Sequence, residues 1–130
     1  MKTLVLIGGQ LEVQEIESNL ESLQAIVGGY IEVPLLCNMF KNNNIDVIIN
    51  EEGKYIDGLK PSITLISGKT KQILDIIYGN CIFASHDEHG ETIGLNEEQM
   101  KIVMRELNME VILQYPNEEI EHKTRALFIE

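Results

Sequence analysis

Gly68-Lys69-Thr70 ends like a phosphate-binding loop, in which backbone amides and a lysine cradle phosphate oxygens. That motif also needs a glycine five residues before its second glycine, and the position holds Ile63. A lysine-bearing turn is the better reading. Gly8-Gly9 follows an apolar run, but the G-x-G-x-x-G pattern of dinucleotide sites is absent. His86, Asp87, Glu88, His89 and Glu91 fall within one turn and offer ligand types suited to a divalent metal. A turn tip lacks the outer hydrogen bonds that orient such ligands, so no metal site is expected. Cys37 and Cys81 form no C-x-x-C or Cys/His spacing and read as reduced core thiols. No catalytic constellation assembles, and no cofactor is implied.

A softer signal comes from tyrosines beside glycines. Tyr30 follows Gly28-Gly29, and Tyr78 precedes Gly79-Asn80. Backbone without a Cβ permits the close approach of a ligand ring, on which a tyrosine face can stack. Lys69 with Lys71, and Lys123 with Arg125, are cations two residues apart, which a strand would point to one face. Tyr30, Tyr78, Asn80, Lys69, Lys71, Lys123 and Arg125 are therefore the candidate ligand-binding residues for a nucleotide. Arg125 leads the cations, because its fork matches phosphate geometry. Its loss is expected to abolish nucleotide retention and spare stability. The competing reading has the tyrosines covering a core edge and the cations balancing an acidic surface.

That surface is strongly acidic. Ten Lys+Arg face twenty-one Asp+Glu, a net charge of −11 in 130 residues. Duplex nucleic acid draws its binders with Lys and Arg, so direct duplex binding is not expected. A basic protein partner suits the charge better. Apolar residues are 44% and charged residues 24%, ordinary for a folded domain. Aromatics are 5% with no Trp, so the core is aliphatic. Leu4–Ile7 is too short for a signal-peptide core, and no run approaches a membrane span. Cytoplasmic residence is expected.

The elements that must position these residues are short. Thr3–Ile7 and Leu11–Ile16 read as a hairpin around Gly8-Gly9-Gln10. Ser18 and Glu21 read as a capping box opening a helix whose stripe is Ile16, Leu20, Leu23 and Val27, ended by Gly28-Gly29. Tyr30–Val33 is a strand stopped by Pro34. Cys37–Asn44 ends in a loop of three asparagines, and Ile45–Asn50 is a strand. Glu51-Glu52-Gly53-Lys54 is a turn, after which Tyr55–Leu59 is a return strand or irregular. Ser62–Ile66 reads as a strand or an exposed loop, and Gln72–Ile77 as one helical turn. Gly79–Ser85 and Glu91–Ile93 flank an acidic turn. Asn96 caps a second helix with Gln99, with the stripe Met100, Val103, Met104 and Leu107. Val111–Tyr115 and Arg125–Ile129 are further strands. The expected fold is one α+β domain over 1–130, a mostly antiparallel sheet with two main helices packed on it.

Several blocks resemble a known family. They are Leu23-Gln24-Ala25-Ile26-Val27-Gly28-Gly29-Tyr30-Ile31-Glu32, Asn50-Glu51-Glu52-Gly53-Lys54, Asp75-Ile76-Ile77-Tyr78-Gly79, Asp87-Glu88-His89-Gly90-Glu91 and Leu95-Asn96-Glu97-Glu98-Gln99. In order and spacing the chain resembles domain of unknown function 3846 over roughly residues 1–108. Residues 109–130 have no counterpart in that pattern and read as a C-terminal elaboration. The resemblance implies a small accessory protein of phages, plasmids or other mobile elements, acting in host–element conflict or DNA maintenance. It supplies no activity and no catalytic residues. Two functions are expected: a non-enzymatic protein occupying a host protein surface, or a protein sequestering a nucleotide signal in a small pocket. A homo-oligomer is compatible with either.

Overall fold

Three apolar runs, Leu4–Ile7, Val47–Ile49 and Cys81–Ala84, are too continuous for a sheet with one wet face. A computed structural model describing residues 1–130 places them in three adjacent strands that are covered on both sides. The elements in chain order are β1 (Lys2–Ile7), β2 (Gln10–Glu15), α1 (Leu20–Val27), β3 (Ile31–Glu32), α2 (Asn38–Asn42), β4 (Asp46–Asn50), a 3-10 turn (Gly53–Tyr55), β5 (Pro61–Ile66), β6 (Ile73–Tyr78), β7 (Cys81–His86), β8 (Thr92–Ile93), α3 (Glu97–Glu106), β9 (Glu110–Leu113) and β10 (His122–Phe128).

The first sheet runs β2-β1-β7-β4-β3, with β8 added to β7, and every pairing is antiparallel. The second runs β6-β5-β10-β9, and there β10 lies parallel to β5, Arg125 opposite Ile63 and Phe128 opposite Ile66. Alternate residues of a strand point to opposite faces, and the first sheet uses both. Leu4, Leu6, Val47, Ile49, Cys81 and Phe83 meet Ile63, Leu65, Ile77 and Leu127 of the second sheet and Ile102, Val103 and Leu107 of the α3 region. Val5, Ile48, Ile82 and Ala84 face the other way, onto Leu23 and Val27 of α1. Phe40 of α2 meets Phe83 edge to face at 6.1 Å. The protein is thus α+β, but its strands form two sheets rather than one, and the second is mixed. Residues 109–130 supply β9 and β10, and β10 lies inside the second sheet with Thr124, Ala126 and Leu127 buried.

Local differences from the sequence reading have physical causes. The stretch read as a helical turn, Gln72–Ile77, instead lies mostly in the edge strand β6 (Ile73–Tyr78), because the spacing of Ile73, Ile76 and Ile77 fits either period once a bulge interrupts the alternation. Ser62–Ile66 is a fully buried strand. Tyr55–Leu59 is no strand, and Cys37–Asn44 contains the short helix α2. The cap of α1 is Asn19, whose side chain accepts from the Ser22 amide at 2.8 Å. Ser18 instead donates to the Thr92 carbonyl. Leu20 is 56% exposed and leaves the stripe to Leu23 and Val27. The second capping box, Asn96 with Gln99, forms in both directions. Met104 is exposed, and Ile102 is buried in its place. No helix is long and apolar enough to cross a membrane.

Candidate functional site

The last carbonyls of a helix need partners, and at α1 two distant asparagines provide them. Asn50 Nδ2 donates to the Val27 carbonyl at 3.1 Å, and Asn80 Nδ2 to the Ile26 carbonyl at 3.1 Å. Gly28, at φ +85°, turns the chain and donates its amide to Gln24. Asn50 Oδ1 also accepts from the Glu52 amide at 2.8 Å, which fixes the turn after β4. Tyr30 enters the same junction, its carbonyl accepting from the Glu51 amide. The helix-to-strand block and the Asn50–Lys54 turn therefore meet at one buried asparagine.

Beside this junction lies a cleft of about 260 Å³ between the β3 edge of the first sheet and the β6 edge of the second. Its apolar lining includes Ile49, Leu65 and Ile77, which belong to the core. Gly53 forms part of the wall. A Cβ there would stand 2.8 Å from the Tyr78 carbonyl, so only glycine lets the turn approach β6 this closely. Glu32, Glu51 and Asp75 supply carboxylates, and Lys54 is ion-paired with Asp75. The Asp75 partner raises the Lys54 ammonium above its usual value. Burial pushes the Asp75 carboxyl up, but the Lys54 ammonium and the Ile76 amide that bond to it outweigh that, and it lies below its usual value. Tyr55, 85% exposed, stands at this cleft.

A second, polar cleft of about 420 Å³ is lined by the Gly8-Gly9 turn, Lys60, Asn80 and Lys123, with Glu121 and His122 beside them. Neither lysine has a carboxylate within 4.0 Å.

The seven candidate ligand residues are dispersed. Asn80 and Lys123 share the second cleft, and Tyr78 lines the first. The Tyr78 hydroxyl is paired with that of Tyr115, which pins its ring; burial, with Tyr78 beside it, raises the Tyr115 phenol. Tyr30 is 71% exposed and lines neither cleft. Lys69 and Lys71 lie in the β5–β6 turn, where Ser67 Oγ accepts from the amides of Lys69 and Thr70. A strand follows that turn, whereas a phosphate-binding loop requires a helix. Lys71 donates to the Gly68 carbonyl at 2.7 Å and stands 5.1 Å from the centre of the Phe128 ring.

Arg125 is committed elsewhere. Its Nε and Nη2 donate to the Gly9 carbonyl at 3.2 and 3.1 Å, and its Nη1 to the Leu107 carbonyl at 3.1 Å. It ties β10 to the first hairpin and to the end of α3. Sequence reasoning missed Lys60, Lys54 and the acidic cleft between the sheet edges. The only signal for that cleft was the Glu51-Glu52-Gly53-Lys54 turn.

In the acidic turn, Asp87 Oδ1 accepts from the amides of His89 and Glu91, and His86 Nδ1 lies 2.9 Å from Asp46 Oδ2. No group of three His, Cys, Asp or Glu side chains is placed to hold a metal. Both thiols are free and buried; burial raises Cys37, and Cys81 is pushed up to about 12.

No curated protein and no solved structure matches the chain. A family model described as a domain of unknown function (DUF3846) matches residues 1–108, the span that contains the asparagine junction and both edges of the acidic cleft. The chain belongs to the DUF3846 family.

Proposed function

We propose that the protein is a non-enzymatic accessory binding protein of a phage or mobile element, acting in the cytoplasm on a basic host protein. The observation that carries this reading is the unneutralised acidic surface. Of twenty-one Asp+Glu, only six stand within 4.0 Å of a cation or histidine: Glu15, Asp46, Asp75, Glu88, Glu106 and Glu118. Three of those six face a histidine rather than a lysine, an arginine or the terminal ammonium. The surface therefore projects a negative field that steers basic partners and repels acidic ones. The role in host–element conflict follows from the occurrence that the family resemblance implies.

The test is capture from host lysate on the immobilised protein, followed by a salt series. A basic protein is expected to bind and to elute as the Debye length falls from about 10 Å to about 3 Å. Retention unchanged across that series refutes the electrostatic reading, as does binding of duplex DNA at physiological salt.

A second reading, sequestration of a nucleotide signal, is favoured by the polar cleft where Lys60 and Lys123 stand without carboxylate partners. Calorimetry against linear and cyclic nucleotides tests it. Heat that is lost in a Lys60→Ala/Lys123→Ala variant supports it, and no heat from the unaltered protein removes it.

A further inference from the structure

We infer that the acidic cleft between β3 and β6 is the docking surface, and that its occupant is a partner segment carrying a lysine or arginine beside an apolar side chain. The inference rests on the reading above that the partner is a basic protein, and it names where that partner seats. The terminal strands of both sheets border this one cleft.

The chemistry on its two levels differs. The floor is apolar, with Ile49, Leu65 and Ile77. The rim carries Glu32 and Glu51, neither of which has a cation within 4.0 Å. An occupant complementary to both levels is an aliphatic stem with a cationic head, placed next to an apolar neighbour.

Docking by side chains is favoured over strand addition at β6. The amide of Ile76 is already bonded to the Asp75 carboxylate, and a bulge displaces the strand at Leu74. Both features blunt an edge.

Lys54 has a distinct place in this arrangement. It occupies Asp75, the third carboxylate of the cleft, with a cation belonging to the chain itself. An incoming cation competes with it, so Lys54 sets a threshold that an occupant must exceed. Removing Lys54 and removing the rim carboxylates must then change affinity in opposite directions.

The experiment titrates the isotope-labelled protein, by NMR, with a short peptide of alternating lysine and leucine and with its glutamate–leucine counterpart. Only the lysine peptide is expected to bind, with shifts concentrated at Gly53, Tyr55, Ile76 and Tyr78. Exposed charge pairs contribute up to about fivefold each. Glu32→Gln/Glu51→Gln should therefore weaken binding by at least about threefold, and Lys54→Gln should tighten it by about twofold or more. Shifts spread evenly over the acidic surface, or weakening in Lys54→Gln, overturn the inference. The same variants are then used for lysate capture. If Glu32→Gln/Glu51→Gln retains a basic host protein as well as the unaltered chain does, the cleft is not the docking surface, although the partner reading stands. If no basic protein is captured by any form, the partner reading falls, and the peptide titration judges the cleft by itself.

Discussion

Arg125→Ala separates a structural arginine from a phosphate-binding one. The guanidinium reaches two carbonyls, those of Gly9 and Leu107, through three hydrogen bonds. Leu107 is the C-cap residue of α3, where the helix dipole also favours a cation. Hydrogen bonds from a charged donor are worth about 1.5–3 kcal/mol each. Gly9 is partly exposed, and water there replaces much of what is lost. The expected cost is about 2–3 kcal/mol. With a urea m-value of about 1.5 kcal/mol/M for a chain of this size, the midpoint falls by roughly 1.3–2 M. Arg125→Lys keeps the charge but cannot reach both carbonyls, and should lose about half as much. The assay is urea denaturation followed by circular dichroism, with m compared between variants. A loss under about 0.5 kcal/mol, the range of ordinary surface substitutions, refutes the clasp and returns Arg125 to the pool of free cations.

Three further outcomes follow from the same structure. Leu23→Ala should cost about 2–5 kcal/mol, the usual range for emptying a core site, while Leu20→Ala, at a 56% exposed position, should leave the denaturation midpoint nearly unmoved; equal losses would mean that α1 is rotated. Cys37 and Cys81 should resist iodoacetamide in the folded protein near pH 8 and react in urea, since burial raises both thiols; rapid labelling of either would contradict its burial. Asp75 has a folded pKa below its unfolded value, so its contribution is present above the unfolded value, about 3.9, and fades as pH falls through the lower folded value. An NMR titration should show the Asp75 carboxyl midpoint below that of an unfolded aspartate and moved upward in Lys54→Gln; an unshifted midpoint would show that the pair does not hold in solution.

The sequence was most legible where chemistry is local. Asn96 and Gln99 form a reciprocal cap because both partners lie within one turn. The cap of α1 shows the limit. Ser18 and Asn19 are adjacent residues of equal capping competence, and the choice depends on the Thr92 carbonyl, which lies far along the chain and engages Ser18. β6 failed for another reason: an edge strand with a bulge need not alternate, and Ile73 and Leu74 are both about half exposed. The candidate site was legible only in residue type. Asn80 and Lys123 do share a cleft, but Asn80 also holds a helix end and Arg125 bridges two elements. These roles are set by backbone carbonyls, which carry no sequence signature.

The parallel pairing of β5 with β10 also dictates an order of events during synthesis. β5 is buried at every residue, and its neighbour β6 follows immediately in the chain. Its other neighbour ends at Phe128, about sixty residues later, which at roughly 5–20 residues per second is an interval of about 3–12 s. Through that interval the hydrogen-bonding edge of an apolar strand stands open on the ribosome, a template for pairing with any other nascent chain. The first sheet needs nothing beyond Ile93 and can close while the wait continues. Ribosome pausing within the stretch that encodes β9 and β10 would prolong that exposure and lower the yield of folded protein without altering a single residue.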